Sequence, residues 1–93
     1  MNPRITIAPG DPLCRAIGSA LRDMRRRAGL TQVQVSKRTG FHRPIVARIE
    51  RGVHLASLET CYRIAEACGG SVLEVAAVID RCLGLPVGKA RAA

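Results

Sequence analysis

Residues 40–52 read GFHRPIVARIERG, and three arginines, Arg43, Arg48 and Arg51, share that short stretch with Pro44. A guanidinium is a planar fork of donors. It fits a phosphate, or the O6 and N7 edge of guanine, in a way that a lysine ammonium does not. The partners that covalent chemistry would need are missing from the chain. It has no glycine-rich phosphate loop, no paired carboxylates in an apolar setting, and no serine or cysteine with an identifiable base. The chemistry on offer is recognition of an anion, and the expectation is a non-enzyme that works without a cofactor.

An α-helix turns about 100° per residue. On that wheel Ile45, Val46 and Ile49 fall together on one side of residues 43–51. Arg43, Pro44, Ala47, Arg48 and Arg51 fall on the other. A proline inside a helix costs ~3 kcal/mol. In the first turn it costs little, because those N–H groups have no helical partner. With His42 as the cap, Pro44 is the second helical residue and marks where the helix starts. The polar face then carries two arginines able to bond guanine. The Pro44 ring and Ala47 beside them suit thymine methyl groups.

The charge is concentrated around this helix. Residues 15–51 hold ten basic groups against Asp23 and Glu50, so the whole net charge of +8 falls in that segment. The remainder of the chain is balanced. A positive face of this kind suits a polyanion. Thirteen of the fifteen basic residues are arginine, a point that GC-rich coding would also produce.

The elements that must position these groups are all helical. Asp11-Pro12 opens a first helix, with a cap residue followed by a proline suited to its first turn. Leu13, Ile17, Leu21, Met24 and Ala28 then recur at helical spacing until Gly29. Thr31 with Gln34 forms a capping box for a second helix from about Gln32 to Thr39, ended by Gly40. The third helix is 43–51. Ser57 caps a fourth with the stripe Leu58, Cys61, Ile64, Ala65 and Cys68. Ser71 with Glu74 opens a fifth, whose stripe is Val72, Val75, Ala76, Ile79 and Leu83, closed by Gly84 and Pro86. Only Ile5-Thr6-Ile7 alternates like a strand. Helices this short are unstable alone, so they must share one aliphatic core. The expected fold class is all-α, a compact five-helix domain over 12–84. A flexible arm is expected at 1–11 and a flexible basic tail at 85–93.

Cys14, Cys61, Cys68 and Cys82 include no CxxC pair. Their expected role is as small hydrophobes or neutral thiols, with no metal site. A redox or metal sensor using them with His42 or His54 is the sharper alternative. No apolar run approaches the ~20 residues of a membrane span, and no signal peptide is visible. The expected compartment is the cytoplasm.

The run GLTQVQVSKRTGFHRPIVARIERG followed by SLETCYRIAEACGGS resembles the Xre-type helix-turn-helix family, to which the lambdoid phage repressors belong. The resemblance covers about residues 14–80. It rests on Ala28-Gly29-Leu30, Thr31-Gln32, Gly40, Arg48-Ile49-Glu50-Arg51-Gly52 and Ser57-Leu58-Glu59-Thr60 in that order. It implies that 32–39 is the positioning helix and 43–51 the recognition helix, with Arg43, Pro44, Ala47 and Arg48 facing bases. It implies that Gln32 contacts a phosphate and braces the recognition helix, and that Arg25 pairs with Glu50. Arg26 and Arg27 then face outward and, with Lys37, Arg38 and Arg51, are the expected phosphate anchors, while His54 is within reach of one. The sequence departs from the family pattern at His42, where Ser or Thr is usual. It departs again at Pro44, which has no side-chain donor, and at Ala56, where proline is common.

One recognition helix covers one half-site, and helix-turn-helix proteins usually dimerise. The fifth helix leaves Leu73, Ala77, Val78, Cys82 and Leu85 outside its core stripe, an apolar surface suited to a twofold homodimer. The expected partner is double-stranded DNA, and the expected function is a sequence-specific transcriptional regulator, a homodimeric repressor at an inverted repeat; the resemblance implies that it controls its own promoter. The second class is a DNA-binding antitoxin, or a partner-binding module of a mobile-element or restriction–modification system, which would add a partner protein. A toxin gene beside this one would distinguish the two.

Overall fold

The computed structural model describes residues 10–82 and residue 84. Five helices follow one another: α1 (Pro12–Arg27), α2 (Gln32–Thr39), α3 (Arg43–Arg51), α4 (Leu58–Ala67) and α5 (Val72–Cys82). The described residues contain no strand. The protein is an all-α five-helix domain.

Local chemistry sets the helix ends. Thr31 Oγ1 accepts the Gln34 N–H at 3.1 Å, and Gln34 Oε1 accepts the Thr31 N–H at 2.8 Å, so the α2 capping box is complete. Ser57 Oγ accepts the Thr60 N–H at the start of α4. The box at α5 is only half formed. Glu74 accepts the Ser71 N–H, but the Ser71 hydroxyl takes the N–H of Leu73. Asp11, expected as a side-chain cap, makes no such bond. Its carbonyl instead accepts the Arg15 N–H, and Pro12 presets the first turn. Pro44 lies in the first turn of α3, and His42 precedes it in extended conformation with no side-chain cap.

The core is aliphatic and joins all five helices. Leu21, Val35, Val46, Ile49 and Ile64 are its largest fully buried side chains. Leu13, Leu30, Phe41 and Ile45 close over it. Three expectations for the core are corrected. Ala28 lies beyond the end of α1 as its C-cap and is exposed. Leu58 is 77% exposed: it is the first residue of α4, and helical side chains lean toward the N-terminus, here past the edge of the core. Ala76 is exposed, on the open groove that it lines with the loop before α4. Leu83, Leu85 and the expected arm and tail lie outside the described residues, except for Gly10 and Asp11.

Two glycines set how closely α3 approaches α1. A Cβ on Gly18, within α1, would meet the Ile49 carbonyl oxygen at 2.1 Å and that of Glu50 at 3.0 Å. The two backbones therefore touch, and only glycine fits. Gly52 ends α3 with φ +77°, and a Cβ there would meet Arg15 Cα at 2.5 Å. The Gly10 N–H donates to the Gly52 carbonyl at 2.8 Å, which ties the start of α1 to the end of α3.

Candidate nucleic-acid interface

The candidate surface is built from Glu50 outward. Val46 and Ile49 anchor α3 in the core, and Glu50 is only 5% exposed beside them. A bare carboxylate there would be costly. Its oxygens accept three bonds: Arg25 Nε at 2.7 Å, Arg25 Nη2 at 2.8 Å and Gln32 Nε2 at 3.0 Å. Arg25 also donates to the Leu30 carbonyl at 2.9 Å. Glu50 and Arg25 together thus join α1, the turn after it, the first residue of α2, and α3. The hydrogen bond to Glu50 holds the Arg25 guanidinium above its ordinary pKa, with burial opposing it. Gln32 braces α3 through this same carboxylate.

With that side locked, the opposite side of α3 faces outward. Arg43, Pro44, Arg48 and Arg51 are exposed, and Ala47 is half-buried. Beside them, α1 contributes Arg22, Arg25 and Arg26. Together these form an open cleft of about 460 Å³ between α1 and α3. Among the described residues, no carboxylate lies within ion-pair distance of Arg26, Arg43, Arg48 or Arg51.

The other residues expected at phosphates are placed differently. Arg27 donates to Glu74 of α5 at 2.9 Å. That bond is the main reason the Glu74 carboxyl sits below its ordinary pKa, with the Ser71 N–H adding to it. Arg38 donates to the Ala67 carbonyl at the end of α4 at 2.8 Å. Each of these exposed side chains thus bonds a second helix. Lys37 on α2 and His54 in the loop after α3 are exposed. Sequence reasoning passed over Arg22, whose three- and four-residue spacing to Arg25 and Arg26 was the available signal.

A family model described as a helix-turn-helix domain matches residues 16–78, which span α1 through most of α5. The chain belongs to the helix-turn-helix domain family. Among its relatives, the HTH-type transcriptional regulator y4dJ of Sinorhizobium fredii is 35% identical over 66 residues, covering 71% of this chain and 86% of that protein. An HTH-type transcriptional regulator of Methanothermobacter thermautotrophicus is 33% identical over 60 residues, covering 64% of this chain and 87% of that protein. No solved structure matches the chain significantly.

A second, apolar groove lies between α4, α5 and the loop before α4. Leu55, Leu58 and Leu73 form its rim, with Leu58 and Leu73 77% and 74% exposed. Ile17, Cys61 and Val75 form its floor. Of the residues expected at a dimer surface, Leu73 is at this groove and Cys82 is exposed. Ala77 and Val78 are half-buried and face Ala20 and Asp23 of α1 instead. Leu85 lies outside the described residues.

Cys14 and Cys61 are buried, Cys68 is half-buried, and all four thiols are free. Burial pushes the Cys61 and Cys68 thiols up from their ordinary pKa. No cluster of three metal-ligating residues occurs among the described residues. No helix among them is long and apolar enough to cross a membrane.

Proposed function

We propose that the protein is a sequence-specific DNA-binding transcriptional regulator, a homodimeric repressor whose α3 reads the major groove of an inverted-repeat operator. The observation that carries this reading is the exposed Arg43, Pro44, Ala47 and Arg48 face on a helix locked by the Arg25–Glu50–Gln32 cluster. The names of the two regulator relatives support a regulatory role.

In this reading Arg43 and Arg48 bond guanine edges. Pro44 offers only van der Waals contact, so the base opposite it is read through a methyl group or through shape. Arg26, Arg51, Lys37 and His54 grip phosphates. Gln32 adds the amide N–H that Glu50 does not use. The apolar groove rimmed by Leu55, Leu58 and Leu73 takes a second copy of the chain. Two recognition helices then meet successive major grooves ~34 Å apart.

Selection of bound sequences from random duplex DNA tests the reading directly. An inverted repeat is the expected result, and no enrichment over bulk DNA would reduce the protein to a non-specific binder. On the selected site, Arg43→Ala and Arg48→Ala should each cost ~1–3 kcal/mol and relax preference at one base position. Arg26→Ala should weaken all sequences alike.

A further inference from the structure

Arg22 stands one helical turn before Arg25 and Arg26 on α1, in the wall of the cleft against α3. Its Nε–H is buried and has no acceptor. Among the described residues Arg22 makes no ion pair either. A buried donor on a charged group is expensive to leave unpaired, so its cleft should supply an acceptor. The described residues provide none there. Among the described residues Glu50 is the one carboxylate lining the cleft, and its three hydrogen bonds come from Arg25 and Gln32, none from Arg22.

What remains in the cleft is a surplus of guanidinium with no acid to meet it. That composition repels cations and offers an apolar ligand little surface. It suits an oxyanion, which a guanidinium binds through two parallel N–H bonds. The same cleft includes Pro44 and Ala47 of the outward face of α3. An anion seated there lies within the footprint of a duplex docked on that face.

We propose that the cleft between α1 and α3 seats one phosphate of the DNA backbone and that Arg22 donates to it. The proposal rests on the DNA-binding reading above. Since Nε has no bond to lose, the guanidinium can turn into the cleft without breaking one.

The test is the salt dependence of binding to a random-sequence duplex. Each neutralised phosphate contributes about 0.9 to the slope of log affinity against log salt. Arg22→Gln should lower the slope by about 0.9, weaken all duplexes alike and leave the Tm of the DNA-free protein unchanged or raised. Arg22→Lys, which keeps the charge, should keep the slope. An unchanged slope in a folded Arg22→Gln protein overturns the proposal. A second readout needs no variant: the NMR signal of the Arg22 Nε–H should shift and exchange more slowly when duplex is added to the wild-type chain. A signal that duplex leaves unmoved counts against the site, and one that inorganic phosphate moves but duplex does not assigns the cleft to a free anion instead. Failure of the wild-type chain to bind duplex at all would sink the DNA-binding reading itself, a result distinct from any of these.

Discussion

Glu50 holds three hydrogen bonds while almost withdrawn from water, and its partner Arg25 has a side chain only 12% exposed. Removing one charge from such a pair leaves the other stranded, at a cost of ~3 kcal/mol. For a domain of this size that is a Tm loss above about 10 °C. Glu50→Gln should show it by calorimetry, and an unchanged Tm would make the pair dispensable. Glu74 gives a different signature because it is exposed and paired with Arg27. Its folded pKa is lowered, so the unfolded chain binds its proton more readily. The stabilisation is complete above the ordinary value of 4.5 and is lost as pH falls through the folded value. In melting curves taken across the acid range, Glu74→Gln should lose less Tm than the wild-type chain. Parallel curves would mean that the contact with Arg27 contributes nothing.

At the scale of elements, α2 was legible almost entirely, because Thr31, Gln34 and Gly40 mark both its ends by local hydrogen bonding. The outward face of α3 was legible for a similar reason, since its periodicity is written in nine consecutive residues. The approach of α3 to α1 was not. Gly18 reads in the sequence as a weak spot in a helix, and its role depends on a carbonyl 31 positions away. The destinations of Arg27 and Arg38 were hidden in the same way, because each bonds a helix distant in sequence. Gly18→Ala should push α3 off α1 and cost ~1–3 kcal/mol by overpacking, although alanine is the better helix former. A Tm equal to or above the wild-type value would show that the two helices can separate freely.

At the scale of the whole molecule, the two broad surfaces differ in kind. One is an arginine-walled cleft beside α3, and the other is an apolar groove between α4 and α5. The sequence pointed to an apolar surplus on α5, but only the packing shows that Ala77 and Val78 turn toward α1. Leu73 is left to meet Leu58 across the groove. If a second copy covers that groove, Leu58→Glu with Leu73→Glu should yield a folded monomer by sedimentation at micromolar concentration. A double variant that sediments like the wild-type chain would place the dimer elsewhere. Gly18 brings the main chains of α1 and α3 together with no side chain between them. The separation of the α1 and α3 main chains is therefore a fixed gauge, set with no side chain between them. Substitutions at 43, 44, 47 and 48 leave that gauge as it is. If those four positions read bases as proposed, a lineage carrying this domain can acquire a new target sequence while the seat of α3 on α1 stays the same.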